Sequence, residues 1–126
     1  MAASLVLIYA TRRNIGAMII DFEKIDTSVI QNFYGGEKDT VAHMFFDGLT
    51  RIAYTKLAPG ASIGTHLHEN GGEIVYVLNG TGRAVYDGGV EALRPGLCHY
   101  CPKGHSHGVI NDGAEDLVFL SVVPRQ

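Results

Sequence analysis

Short apolar runs punctuated by turn residues set the texture of this chain. Residues 41–46, 52–57, 62–68, 74–78 and 83–86 are rich in β-branched and aromatic side chains, which favour a pleated, half-buried surface. Between them stand Asp47-Gly48, Pro59-Gly60, Asn79-Gly80 and Asp87-Gly88, dipeptides suited to tight turns. Residues 98–101, 108–110 and 117–123 continue the rhythm, broken at Pro95-Gly96, Pro102-Lys103-Gly104 and Asn111-Asp112-Gly113. About eight such strands predict an all-β sandwich or barrel. Ahead of them, residues 18–25 alternate as a first edge strand would. Residues 28–34 read as a short helix, with Ser28 and Gln31 at capping-box spacing and Gly35 as its stop. Residues 1–17 are expected to be an extension outside the core, dispensable if Met18 is an alternative start, leaving 18–126 as one domain.

In residues 74–78 and 117–123 both faces of the strand are apolar. One face must meet the interior, and the other needs a second layer or another subunit, so a homodimer is one expectation and packing inside the monomer the other.

Composition narrows the class. With 126 residues, 46% apolar and 18% charged, the chain has the balance of one ordinary globular domain. A net charge of −3 offers nucleic acid no electrostatic attraction. No apolar run approaches the roughly 20 residues needed to cross a bilayer, so no membrane partner is expected. The two cysteines, Cys98 and Cys101, are too few for a disulfide framework and point to a reducing, cytoplasmic setting. Three residues apart on a strand they face opposite ways, and Cys98 is expected to be buried packing.

The chemistry gathers in two stretches. His66 and His68 sit two residues apart, on the same face of a strand and about 7 Å apart along it. Glu73 follows a four-residue turn, and antiparallel pairing is expected to set it beside them. His107 begins a remote strand that completes the set when a barrel closes. Three imidazoles and a carboxylate suit a divalent transition ion such as Mn, Fe, Ni or Zn better than Mg or Ca.

The spacing Gly60-x5-His66-x-His68-x4-Glu73-x6-Gly80 resembles the first cupin motif, and Gly96-x5-Pro102-x-Gly104-x2-His107-x3-Asn111 resembles the second. These core motifs, at 60–80 and 96–111, lie in a resemblance that covers roughly residues 41–123. It departs at Leu97, where many members carry an acidic residue. The resemblance implies a small single-domain member with a double-stranded β-helix, or jelly roll, and a metal inside one end. It implies metal ligation by His66, His68, Glu73 and His107, turns at Gly60, Gly80, Pro102 and Gly104, and a structural hydrogen-bonding role for Asn111. It leaves the activity open: decarboxylase or dioxygenase, isomerase, or lyase, acting on a small carboxylate or sugar-derived substrate. A non-catalytic small-ligand (sugar) binding or sensor domain is the alternative.

Other candidates are weaker. Glu69 and Tyr76 are acid/base candidates only by proximity in sequence. His43, His99 and His105 lie outside the motifs and read as satisfied or exposed histidines, although His43 and His105 are placed to approach the pocket. Arg51, Lys56, Arg83 and Arg94 are the cations available to an anionic substrate, with Arg83 and Arg94 read as surface residues.

Overall fold

Alternation along the strands gives nearly every one an inward and an outward face. The computed structural model describes residues 10–11 and 16–126. Among the described residues there are eleven strands: β1 (Ala10–Thr11), β2 (Ser28–Gln31), β3 (Asp39–Phe46), β4 (Thr50–Leu57), β5 (Ser62–Leu67), β6 (Glu73–Asn79), β7 (Gly82–Tyr86), β8 (Gly89–Leu93), β9 (Cys98–Cys101), β10 (Ser106–Ile110) and β11 (Leu117–Pro124). One sheet runs β1-β3-β4-β11-β6-β9, with β2 also paired to β3, and the other runs β5-β10-β7-β8. The two sheets enclose one interior, which is the expected all-β, double-stranded β-helix (jelly-roll) barrel.

That interior is divided along its length. Leu57, Val75, Val77, Ala84, Leu93, Val109, Leu117 and Phe119 form an apolar cluster, all nearly or wholly removed from water. Burying such aliphatic and aromatic side chains stabilises the fold by about 1.5–3 kcal/mol each. The same strands change character toward the other end: β6 begins at buried Glu73, and β10 carries buried His107 two residues before Val109. Asn111 closes the apolar end, donating from Nδ2 to the carbonyls of Leu57 and Glu115 (both 2.8 Å) and accepting from the Gly113 N–H.

A β-bulge makes this division possible on β5. Opposite β10, His107 pairs with His66, but Val109 pairs with Ile63. The extra residue on β5 lets Ile63 pack against the apolar cluster and His66 still face inward, although they are three apart.

Three expectations are corrected. Residues 18–25 form no strand: Asp21 accepts from the Glu23 N–H (3.1 Å) and caps a 3-10 turn at Phe22–Lys24. Residues 28–34 do not form a helix. Val29 and Ile30 pair antiparallel with Val41 and Thr40, and only Phe33–Gly35 coils, as a 3-10 turn. A helix of under two turns is below the length that sustains itself, so the ladder to β3 prevails. β8 at Gly89–Leu93 is an additional strand, whose mixed Gly-Val-Glu-Ala-Leu pattern carries little strand signal. Of the extension at 1–17, residues 10–11 pair in parallel with Phe45 and Phe46, and residues 1–9 and 12–15 lie outside the described residues.

Candidate metal centre

His66 and His68 project inward from β5 and its end, His107 from the adjacent β10, and Glu73 from β6 in the opposite sheet. Glu73 therefore does not pair beside the histidines as antiparallel adjacency predicted. The turn after His68 crosses between sheets, and the carboxylate arrives from across the barrel.

The four donors converge, all within 4.8 Å of one another. His68 Nε2 lies 3.0 Å from both His66 Nε2 and His107 Nε2. Glu73 Oε1 is 2.7 Å from His107 Nε2, 3.2 Å from His68 Nε2 and 3.8 Å from His66 Nε2. Nitrogens about 2.1 Å from a common ion stand about 3.0 Å apart at right angles and about 3.4 Å apart at a tetrahedral angle. The two 3.0 Å separations match the right-angled arrangement, so the donor set fits a divalent ion with octahedral preferences. Facing imidazole nitrogens would otherwise need a proton in each gap, so the cluster is one that a cation completes.

Three of the four donors are held from behind. His66 Nδ1 donates to the Gly64 carbonyl within the bulge (2.8 Å), leaving Nε2 for the centre. The Ser121 hydroxyl donates to Glu73 Oε2, so Oε1 is the oxygen turned toward the histidines. His107 Nδ1 lies 2.9 Å from Nε2 of His99, whose Nδ1 lies 2.7 Å from Glu91 Oε1. Burial pushes the Glu73 carboxyl up, but hydrogen bonds from His107, His66 and His68 outweigh it and hold the group well below the ordinary carboxylate range. Burial pulls His107 below an ordinary imidazole, helped by His66 and His68 and opposed by Glu73.

His68, Glu73 and His107 are buried, and the His66 side chain, at 9% exposed, is as closed as that of Glu73 at 10%. The Tyr34 ring stacks on His66, with centroids 4.2 Å apart and planes 10° apart.

A family model described as a cupin domain matches residues 53–123, more than half of the chain. The chain belongs to the cupin family. This cupin is 33% identical over 113 residues to an oxalate-binding protein of Thermotoga maritima, covering 84% of this chain and 93% of that protein. Its fold superposes on the crystal structure of a predicted oxalate decarboxylase from Thermotoga maritima with a TM-score of 0.80 and 30% identity, covering 86% of this chain and all of that one. A polyketide cyclase from Streptomyces resistomycificus, with a TM-score of 0.71 at 23% identity over 88% of this chain and 81% of its own, shares the fold.

The remaining candidates are dispersed around the cupin barrel. Tyr76 shares the outward face of β6 with Ile74 and points away from the donors, while Glu69 is exposed in the turn after His68. His43 Nδ1 donates to the Ile25 carbonyl (2.7 Å), and the residue lines an outer cleft with Phe22 and Tyr54. His105 pairs with Asp87 at 3.0 Å in solvent, and Arg83 pairs with Asp112 at 2.8 Å. Both cysteines are free, but Cys98 is exposed and Cys101 buried, the reverse of the expected packing role for Cys98. The cause is the register of β9 on β6, which puts Cys98 opposite outward Tyr76 and Cys101 opposite inward Glu73. His99 shares the inward face with Cys101. Sequence reasoning passed it over, although parity with Cys101 and proximity to the second motif were visible signals.

Among the described residues, no helix is long and apolar enough to cross a membrane.

Proposed function

We propose that this cupin holds one divalent transition ion at His66, His68, Glu73 and His107 and acts as a metalloenzyme on a small carboxylate or sugar-derived substrate. Oxalate is the first candidate. The observation that carries this reading is the convergence of three Nε2 atoms and one carboxylate oxygen inside one end of the barrel, with His68 Nε2 at right-angled spacing from the other two nitrogens.

Four protein donors on a six-coordinate ion would leave two places for a ligand, which would suit a small molecule offering two oxygens. When bound, the ion supplies Lewis-acid polarisation of those oxygens and, if it is Mn or Fe, a partner for O₂. The chain supplies the rest. Glu73 offsets part of the ion's charge, and Ser121 fixes which oxygen it presents. The Tyr34 ring, stacked on His66, holds the plane of that imidazole. Glu69, exposed next to His68, is the carboxyl closest in sequence for proton delivery by the loop. The oxalate-binding relative supports the carboxylate class. We also place the protein in the cytoplasm, in keeping with its two free thiols, and as a homodimer through the outer face of the larger sheet.

The test is to load metal-free protein with Mn²⁺ and follow ¹³C-oxalate by calorimetry and NMR. Metal-dependent binding with release of formate and CO₂ fits a decarboxylase. Saturable, metal-dependent binding without product would establish the second reading, a non-catalytic binding domain, which the name of that relative favours. Absence of binding by the loaded protein would remove oxalate and move the search to sugar acids.

A further inference from the structure

We propose that Glu91 and His99 are positioning residues for His107, fixing its tautomer so that Nε2 presents a lone pair to the metal position. This rests on the metal reading above and concerns two residues at no fixed position of either cupin motif.

Glu91 lies on β8, the edge of the smaller sheet, and His99 on β9, the edge of the larger one. Their contact therefore bridges the side of the barrel where the two sheets part. Glu91 is opposite Ala84 on β7, so its side chain leans to the inward face although the edge leaves it about half exposed. His99 is 4% exposed and His107 not exposed at all, and their rings stack with planes 17° apart and centroids 5.1 Å apart. The pocket on this side, about 380 Å³ and lined by Tyr86, Glu91, His99 and His105 among others, ends at His99 and not at the donors themselves.

Counting protons leaves the chain of contacts two orders, and ligation at His107 Nε2 selects one. Two carboxylates, Glu91 and Glu73, bracket two imidazoles, which makes three gaps: Glu91 to His99 (2.7 Å), His99 to His107 (2.9 Å) and His107 to Glu73 (2.7 Å). Two neutral rings carry two N–H protons between them. A carboxylate accepts, so one order sends both protons toward Glu91 and the other sends both toward Glu73. An ion held at His107 Nε2 needs the first order: His107 donates from Nδ1 to His99 Nε2, and His99 donates from Nδ1 to Glu91. Glu91 is the acceptor that supports this order. Without it, Glu73 would draw the His107 proton to Nε2 and block that donor. The same contacts fix the ring plane of His107 and increase the electron density it offers as a ligand.

Two variants test this. Glu91→Gln keeps the shape but can donate as well as accept, so it no longer favours the first order. His99→Phe keeps a flat ring and removes both nitrogens. The readouts are Co²⁺ affinity of the metal-free protein by chelator competition and the His107 tautomer from ring ¹⁵N shifts. Both variants should lose about 10- to 100-fold in Co²⁺ affinity. In Glu91→Gln the metal-free His107 should shift further toward the Nε2–H form than in the wild type. A latch that only joined the two strand edges would lower the melting temperature and leave tautomer and affinity unchanged. Wild-type affinity in both variants, or an unmoved tautomer in Glu91→Gln, overturns the proposal. Failure of the wild type itself to take up Co²⁺ overturns the metal reading as well, so the two failures are told apart.

Discussion

Glu73 is where opposing forces on a single residue meet. Burial raises its pKa, and three imidazole hydrogen bonds lower it further than burial raises it. His107, beside it, is also lowered, from an ordinary 6.5. In both cases the unfolded chain takes up the proton before the folded one does. Stability of the metal-free protein is therefore complete above the unfolded values and is lost as pH falls, through His107 below about 6.5 and through Glu73 below about 4.5. The thermal midpoint of metal-free protein should begin to drop near pH 7 and go on dropping below pH 4, and Glu73→Gln should flatten the part of that curve below about pH 4.5. A midpoint level across the range would contradict the assignment of these two groups. The motif residues at this scale could be read directly, because their spacing carries the pattern. His99 could not, because its partner Glu91 comes from a strand on the other sheet edge, and no local spacing encodes that meeting.

At the scale of elements, the 3-10 turn at Phe33–Gly35 and the bulged β5 act as one unit. A Cβ on Gly64 would overlap the Tyr34 carbonyl oxygen, and one on Gly36 would overlap the Ser62 carbonyl. The Glu37 N–H donates to Ser62 Oγ (2.8 Å) and the Ser62 N–H to the Glu37 carbonyl (2.9 Å), closing the joint. This close approach is what lays the Tyr34 ring on His66. Gly64→Ala should force the turn off the strand, at a cost of about 1–3 kcal/mol, typical of overpacking. Thermal melts would show the loss, and Tyr34 fluorescence would show the ring leaving His66. A melt and spectrum like the wild type would mean the joint is looser than the backbone contact implies. Strands 62–68, 74–78 and 98–101 were legible from alternation and turn dipeptides. The turn at Phe33–Gly35 and strand Ser28–Gln31 were not, because both depend on partners far along the chain.

Over the whole molecule, the larger sheet has an apolar exterior. Tyr54, Leu120 and Tyr76 lie side by side across β4, β11 and β6, and Ile52, Val122 and Ile74 form the next row, followed by Tyr100 on β9. Tyr54, Ile74, Tyr76 and Tyr100 are each more than a third exposed. A continuous apolar face of this kind marks a contact surface. Tyr76→Lys should convert a dimer to monomer in sedimentation, and a wild type that sediments as a monomer at high concentration would remove the interface. Removal of residues 1–17 should leave a cooperative melt, since among the described residues the strand pairing there is the short Ala10–Thr11 segment at the sheet edge. Loss of the folded state on truncation would show that this edge is needed. The barrel itself could be anticipated from strand rhythm and motif spacing. Which strands share a sheet could not, and Glu73 reaching the centre from the opposite sheet is the clearest instance.

The central claim is that His66, His68, Glu73 and His107 form one metal site. Elemental analysis of untagged protein beside His107→Ala, each after reconstitution with Mn²⁺, Fe²⁺, Ni²⁺ or Zn²⁺, tests it most directly. The account predicts one equivalent of a divalent transition metal per wild-type chain and none retained by the variant. Full metal in the variant, or no stoichiometric metal in the reconstituted wild type, would contradict it.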